Sequence, residues 1–178
     1  MSPITLFPEV SADALAVDAV IRKALHSDVA LIRQVADYIV LAGGIPPGPA
    51  IRRIKDSGAK LVCFTPALAL GKKLVRSGAD ALVIEGSEAG GHIGPVSLTV
   101  LAQEILPHLR DVPVFVAGGL GRGEAILAYL EMGAAGCQLG TRFVCDTASI
   151  AHPRFKQAFI RAAARDAVPT VQLDPAFP

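Results

Sequence analysis

Short apolar runs alternate along this chain with stretches in which apolar residues recur at helical spacing. Six runs are typical of buried strands, at residues 4–7, 38–41, 60–64, 81–84, 112–116 and 136–139. Helical spacing fills most of the intervening chain, at residues 12–25, 28–35, 49–55, 67–76, 98–109 and 123–132. Because the strand runs are continuously apolar rather than alternating, we expect both faces of these strands to be buried.

The junctions between helices and strands repeat in the letters of the sequence. The same junction begins at Ser57 (SGAKLV), at Ser77 (SGADALV) and at Met132 (MGAAGCQ). In each case glycine ends a helical stretch and leads into an apolar run, which is the punctuation of a βα unit. Repeated βα units predict an α/β fold with a parallel sheet covered by helices.

Two closures of such a sheet compete, the doubly wound open sheet and the barrel. A doubly wound dinucleotide fold needs a glycine-rich turn after its first strand and an acidic residue about 20 residues later. In this chain the glycines follow strand after strand, which favours a (β/α)8 TIM barrel with its site at one face. We count about six of the eight βα units, so the sequence predicts one incomplete barrel domain over residues 1–178.

Composition limits the classes of partner. The 17 basic and 16 acidic residues give a net charge of +1, so no strong field favours nucleic acid or an anionic membrane. Mean hydropathy is +0.48, yet no uncharged apolar run reaches the ~18 residues that a membrane span needs. The expected partner is therefore a small-molecule substrate.

Cysteine usage and the amino terminus add two expectations. The cysteines, Cys63, Cys137 and Cys145, lack the paired spacing of a metal site or a disulfide framework. The start MSPITLFPEV lacks the basic and apolar regions of a signal peptide. We therefore expect no metal and a cytoplasmic location.

A histidine lies in a glycine-rich loop directly after the apolar run at 81–84. The loop reads EGSEAGGHIGP and places His92 beside Gly91 and Gly94, which leave the ring sterically accessible. An imidazole that titrates near neutrality is a natural proton acceptor, so His92 is the candidate catalytic base. Glu85 and Glu88 either orient the ring or are simply solvated.

Two later strand ends have the composition of a phosphate cradle. They read AGGLGRGE from Ala117 and QLGTRF from Gln138. Glycine lets backbone N–H groups approach an oxyanion, and a helix beginning near Gly123 would add its positive end. The alternative is that these glycines only permit tight turns. Gln138 is polar within an apolar strand and either faces a ligand or finds a backbone partner.

These segments together resemble a known family. GADALVIEGSEAGGHIGP, followed by PVFVAGGLGRGEAILAYLEMGAAGCQLGTRF, is similar to the nitronate monooxygenases, formerly 2-nitropropane dioxygenases. The segments also resemble the flavin-dependent enoyl-acyl carrier protein reductases, which share the barrel of that family. The resemblance covers residues from about 59 to 152.

The resemblance implies an FMN-dependent oxidoreductase that oxidises alkyl nitronates with dioxygen. It makes His92 the active-site histidine and places Gly91 beside the cofactor. It assigns the flavin phosphate to two segments, namely Ala117, Gly118 and Gly119, and Gln138, Gly140 and Thr141. The alternatives left open are a flavin-dependent enoyl-thioester reductase and a truncated, non-catalytic remnant that binds FMN or acts structurally.

The remnant alternative rests on a departure from the family pattern. Family members begin with two further strands and continue beyond the region of Asp174, so the sequence looks truncated at both ends. An open sheet would expose two edges and an apolar interior. We therefore also expect a tendency to aggregate or to pair with another chain, as in a homo-oligomer.

Overall fold

A computed structural model of the protein describes residues 37–41, 46–91 and 93–169. The strand predicted at 4–7 and the helices predicted at 12–25 and 28–35 lie outside these residues. The chain divides into two compact units, Met1–Gly140 and Thr141–Pro178. The described part of the first unit contains the βα units that the sequence predicts from residue 38 onward.

The described part of the first unit alternates strands with helices. Its strands are β1 (Tyr38–Leu41), β2 (Lys60–Thr65), β3 (Ala81–Glu85), β4 (Val114–Ala117) and β5 (Gly136–Gln138). Its helices are α1 (Gly48–Asp56), α2 (Leu68–Arg76), α3 (Leu98–Ile105) and α4 (Gly123–Glu131). Each bound agrees with the predicted pattern to within a few residues. The largest difference is at α3, which ends at Ile105, before the predicted end at 109.

The sheet is parallel throughout and its strands follow one another in chain order, β1-β2-β3-β4-β5. A doubly wound sheet reverses its strand order at a switch point, and no reversal occurs among these five strands. Sequential parallel strands are the wall of a TIM barrel, so the described unit is part of such a barrel. The prediction of an incomplete (β/α)8 fold is confirmed.

One face of the sheet packs against the helices. Its strand residues include Ile39, Leu61, Leu82, Ile84 and Val116, which form one buried cluster with apolar residues of α1, α2 and α3. The helical members of this cluster include Ile51, Ile54, Leu74, Leu98, Leu101 and Ile105. The opposite face carries the alternate residues of the same strands and corresponds to the barrel interior.

The repeated glycines have the role that the sequence predicts. Gly58 and Gly78 follow α1 and α2 with φ of 80° and 106°, a region that favours glycine. Their backbone N–H groups donate to the last turn of each helix, at Lys55 O and Val75 O. A single glycine of positive φ therefore ends each helix, and the next strand begins shortly after it.

An ionic cluster fastens the opposite end of the sheet, where the strands begin. The Asp80 carboxylate accepts hydrogen bonds from Lys55 Nζ at 2.6 Å, Lys60 Nζ at 3.2 Å and the Leu61 N–H at 2.8 Å. Burial acts to raise the pKa of Asp80, but the Leu61 N–H and the two lysines outweigh it, so the pKa is lowered. The cluster joins α1, β2 and the start of β3.

The described part of the second unit contains α5 (Thr141–Val144), α6 (Pro153–Arg161) and a 3-10 turn at Ala164–Asp166. Lys156 Nζ donates to the carbonyl oxygens of Asp146 and Ser149 at 2.6 and 2.7 Å, which holds the connecting segment against α6. Across both units, none of the described helices is long and apolar enough to cross a membrane.

Candidate functional site

The carboxyl ends of the strands bring the predicted site segments to one edge of the sheet. Glu85, Ala117 and Gln138 end β3, β4 and β5, and the register pairs Glu85 with Ala117 and Ala117 with Gln138. The loop that leads to His92 and the two glycine-bearing segments therefore leave neighbouring strands at the same edge. In barrels this is the edge where ligands bind.

The loop after β3 is anchored by backbone hydrogen bonds. The Gly86 N–H donates to Ala117 O at 3.0 Å, which extends the β3–β4 pairing by one residue. The Ser87 N–H donates to Val96 O at 2.9 Å, and the Ala89 N–H donates to Gly86 O at 3.0 Å. The first half of the loop is thus a fixed turn.

Glu88 has a structural partner. Its Oε2 accepts a hydrogen bond from the Leu98 N–H at 2.9 Å, at the first residue of α3. The N-cap residue Ser97 makes no side-chain cap, so the glutamate from the loop supplies one instead. Of the two interpretations of Glu88, orienting the histidine or being solvated, neither describes this contact.

Gly91 lies at the exposed end of the same loop. Its φ of 94° favours glycine, and a Cβ at this position would meet no atom within 4 Å. His92 lies outside the described residues, so its role as the catalytic base stays a prediction. Gly91, the residue before it, lies beside open space in the loop at the carboxyl edge of the sheet.

Glu85 differs from Glu88 in its surroundings. It is half-buried at the end of β3, and burial raises the pKa of its carboxyl group. No hydrogen bond or ion pair joins this carboxyl to another described residue. Reasoning from the sequence treated Glu85 only as a neighbour of His92. The available signal was an ionisable residue directly after the continuously apolar run at 81–84.

Gly118 and Gly119 are required by the packing of the loop. Their φ values are 110° and 67°. A Cβ on Gly118 would lie 3.1 Å from the Ala89 nitrogen, and one on Gly119 would lie 3.1 Å from the Glu88 Cβ. The alternative explanation, that these glycines permit a tight turn, therefore accounts for both of them without a ligand.

Gly140 has no such structural explanation. It is exposed, its φ is not positive, and a Cβ there would meet nothing within 4 Å. Gln138 is half-buried and its side chain makes no hydrogen bond to a described residue, so the structure supplies no backbone partner for it. Thr141, the next residue after Gly140, begins α5 and belongs to the second unit.

The predicted helix start near Gly123 is confirmed, but an acidic residue in the first turn of this helix disfavours an anion there. α4 begins at Gly123, and Arg122 as N-cap makes no side-chain cap. Glu124 lies in the first turn and pairs with Arg122 at 3.0 Å, and this contact lowers the pKa of Glu124. The carboxylate offsets part of the helix dipole that the sequence suggested for phosphate.

Cysteine and metal chemistry have no support in the part of the chain that the structure describes. Cys63 is buried on the helix-facing side of β2, and burial raises the pKa of its thiol to about 11. A thiol of this kind is unreactive near neutral pH. Within the same residues, no group of three or more histidine, cysteine, aspartate or glutamate side chains is placed to hold a metal ion.

Comparison with known proteins gives consistent relatives. The model of the nitronate monooxygenase family matches residues 10–174. A probable nitronate monooxygenase of Staphylococcus aureus is 32% identical over 157 residues, which cover 82% of this chain and 43% of that protein. In Mycobacterium tuberculosis, a (3aS,4S,5R,7aS)-5-hydroxy-7a-methyl-1-oxo-octahydro-1H-indene-4-carboxyl-CoA dehydrogenase is 34% identical over 131 residues, covering 72% of this chain and 37% of the relative.

A solved structure shares the fold. FabK from Thermotoga maritima, a TIM barrel, superposes with a TM-score of 0.73 at 32% identity, over 90% of this chain and 48% of FabK. The chain thus spans less than half the length of each of these three relatives. The fold agreement supports the barrel interpretation of the sequential parallel sheet.

Proposed function

Because the chain belongs to the nitronate monooxygenase family, we propose that it binds FMN and oxidises alkyl nitronates with dioxygen. The family supports a flavin-dependent oxidoreductase. The identity of the flavin and of the substrate goes beyond what the family match gives, and both are part of the proposal.

The observation that carries the proposal is the gathering of three segments at one sheet edge. The loop that ends in Gly91 leaves β3, the Gly118–Gly119 turn leaves β4, and Gly140 follows β5. The two phosphate-cradle segments are neighbours because Ala117 pairs with Gln138. A ligand at this edge can therefore reach backbone N–H groups of both turns and the loop that precedes His92.

The residues present fit a flavin phosphate in one clear respect. Gly140 faces open space that a side chain would fill, and its backbone is accessible to an oxyanion. We assign the phosphate to Gly140 together with Gly118 and Gly119, whose backbone must also satisfy the packing of the loop. The Thr141 hydroxyl, assigned by the resemblance, remains a prediction. The cofactor supplies the redox chemistry, and the protein supplies binding and position.

His92 is proposed as the proton-handling group of the site. The first half of the loop before it is held by the Gly86, Ser87 and Glu88 hydrogen bonds. An imidazole held at a ligand-binding edge can accept a proton near neutral pH. Open space at Gly90 and Gly91 leaves a route for a small substrate.

Oxygen uptake tests this function. The full chain with FMN should consume dioxygen when an alkyl nitronate is added, and the rate should depend on both FMN and nitronate. His92→Ala should lower turnover by ~100-fold while leaving FMN affinity nearly unchanged. No nitronate-dependent uptake by a flavin-loaded wild type would contradict the proposed substrate, and parallel loss of FMN by the variant would show that His92 is structural.

Reduction of an enoyl thioester is the second candidate function. One relative is named as a dehydrogenase of a carboxyl-CoA, which is a thioester, and this favours a thioester for the present chain also. Anaerobic mixing of the flavin-loaded protein with NADH or NADPH distinguishes the two. Rapid bleaching of the flavin, with no nitronate turnover in air, would choose the reductase.

A non-catalytic role, a cytoplasmic location and a homo-oligomer stay predictions. The partly uncovered face of the sheet, with Val40 at 42% exposure, keeps pairing with another chain open to test. Size-exclusion chromatography measures whether the chain pairs with another copy. A well-folded and active monomer would contradict both the homo-oligomer and the hypothesis of a non-catalytic remnant.

A further inference from the structure

We infer that the outer face of α1 and α2 is a docking surface for an acidic segment of a partner protein. The carboxylates of that segment bind the side chains of Arg52, Lys72, Lys73 and Arg76, which together are called the cationic face. The inference does not depend on the proposed function, because none of these residues belongs to the loops assigned to the flavin.

Charge is unevenly distributed along the chain. Residues 46–80 contain seven basic and two acidic residues, a net charge of +5, although the whole chain carries only +1. Residues 81–140 contain six acidic and two basic residues, a net charge of −4. The near-neutral total therefore hides a positive region that covers α1 and α2, and such a region attracts anionic partners.

No carboxylate of the described residues forms an ion pair with the cationic face. All four of its side chains are exposed. The ion pairs among the described residues join Lys55 and Lys60 to Asp80, and Arg122 to Glu124. Two members of the face lie four positions apart on α2, at 72 and 76, so like charges are neighbours on one helix surface and repel each other. An anionic partner would relieve this repulsion.

The helix dipoles explain only part of this arrangement. Lys73 and Arg76 lie in the last turn of α2, where the dipole favours a cation. Arg52 is different, because a Cβ on Gly48 would lie 3.5 Å from the Arg52 Nη1. Its guanidinium therefore lies beside the first residue of α1, at the end of the helix where the dipole disfavours a cation.

A groove between α1 and α2 connects the cations of the two helices. Its volume is about 440 Å³, and Arg52 of α1 and Lys73 of α2 both line it. Pro46, Ile51 and Leu74 supply apolar lining between these two cations. An arginine can bind a carboxylate through two parallel N–H donors, and a lysine binds one as a point charge. The groove thus suits two carboxylates with an apolar side chain between them.

These features favour an acidic peptide segment over other anions. Within the described chain, the exposed large apolar and aromatic residues include none between positions 46 and 80. The face therefore has no apolar side chain to insert into a membrane surface and no exposed ring on which a nucleic-acid base could stack. The apolar lining of the groove has no counterpart in a sugar-phosphate backbone, whereas a leucine between two glutamates would fill it.

The test uses a fluorescein-labelled peptide with the sequence Glu-Glu-Leu-Glu-Glu repeated twice. Fluorescence anisotropy follows its titration with the full chain at low and at physiological salt. A peptide with glutamine in place of every glutamate and a labelled duplex DNA are the comparison probes. Lys73→Glu is the groove variant. Arg110→Glu is its matched control, because Arg110 is also exposed, lies after α3 and gives the same change in net charge.

We expect the wild type to bind the acidic peptide at low salt, to bind it more weakly at physiological salt, and not to bind the glutamine peptide. Lys73→Glu should weaken this binding by at least ~10-fold, the scale of one charged hydrogen bond, and Arg110→Glu should leave it nearly unchanged. The inference would be overturned by a wild type that does not bind the acidic peptide, by equal losses in the two variants, or by tighter binding of the duplex DNA.

A second variant separates binding from a structural role. Lys72→Glu places a carboxylate four positions before Arg76, which is the favourable orientation for an ion pair on a helix. We expect this variant to keep or raise the thermal midpoint while it weakens binding of the acidic peptide. A lowered midpoint would show that the cations serve the fold, and an unchanged affinity would show that the peptide binds elsewhere. Either result would overturn the inference.

Discussion

The Glu88 carboxylate accepts the Leu98 N–H at 2.9 Å and thereby ties the glycine-rich loop to the first residue of α3. This one hydrogen bond has two effects. It caps a helix that has no other side-chain cap, and it holds the loop that leads to His92. The loop is positioned by the same contact that stabilises the barrel wall.

Replacing Glu88 should therefore cost stability. Glu88→Ala removes the cap and should lower the free energy of unfolding by roughly 1 kcal/mol, as loss of a helix cap usually does. Urea unfolding followed by circular dichroism measures this change. Glu88→Gln is the matched control, because its amide oxygen still accepts the Leu98 N–H and most of the stability should remain. Equal stability of all three proteins would show that the contact does not form in solution.

Gly86 is the position where a side chain should do most harm to the loop. A Cβ there would collide with Leu98 N and with the Glu88 carboxylate. It would therefore disrupt the hydrogen bond by which Glu88 caps α3. Gly86→Ala should destabilise the protein by about 2 kcal/mol, within the range found for overpacked sites.

Gly90 provides the control for this change within the same loop. A Cβ at Gly90 would meet nothing within 4 Å, and its φ is not positive. Gly90→Ala should leave the free energy of unfolding, measured by urea unfolding, within about 0.5 kcal/mol of the wild-type value. Similar destabilisation by both variants would mean that the loop differs from the conformation described.

Gly140 gives a clean test of the phosphate cradle. Gly140→Val fills space that is open in the protein, so it should fold normally and weaken FMN binding by at least ~10-fold, with riboflavin binding little changed. Fluorescence titration with both flavins measures this difference. Gly119→Val is unsuitable for the purpose, because its φ of 67° and the nearby Glu88 Cβ would strain the fold.

Gly121→Val is the control for Gly140→Val, because a Cβ at Gly121 also meets no atom within 4 Å. Gly121→Val should leave the affinities for FMN and for riboflavin nearly unchanged. Unchanged FMN affinity in Gly140→Val would mean that the phosphate lies elsewhere, and a loss shared by riboflavin would mean that the ring site was damaged.

The Asp80 cluster predicts a pH dependence of stability. Its pKa in the folded protein lies below the ordinary value, since the Leu61 N–H and the lysines favour the ionised form despite the effect of burial. A lowered folded pKa adds stability above the unfolded pKa of about 3.9, and this stability is lost as the pH falls through the folded pKa.

Unfolding midpoints measured from neutral pH down to about pH 3 test this dependence. Asp80→Asn should be less stable than the wild type near neutral pH, and the gap should narrow as the medium becomes acidic. Asp56→Asn, at the exposed end of α1, is the control and should change the profile little. A constant gap at every pH would contradict the ionic origin of the Asp80 contribution.

Much of the fold is readable from the sequence because its signals are local. The apolar run at 81–84 and glycines such as Gly78 fix where a strand starts and where the helix before it ends. The strand predicted at 112–116 begins only at Val114, since Pro113 lacks the N–H that strand pairing requires. α6 went unpredicted because no repeated junction marks it.

The site is only partly readable, because its key relationships join distant residues. The Glu88–Leu98 contact spans ten positions, and the row of Glu85, Ala117 and Gln138 depends on register. Glycine composition alone also did not separate Gly119, which packing requires, from Gly140, which it does not. Only the three-dimensional contacts distinguish a glycine that packing requires from one that leaves open space.

Titration of the full chain with FMN tests the central claim most directly. If the carboxyl edge of the sheet is a flavin site, the wild type should quench flavin fluorescence saturably, with one FMN bound per chain, and Gly140→Val should require at least ~10-fold more FMN. A wild type that binds no FMN even with the flavin in excess, while remaining folded, would contradict the account.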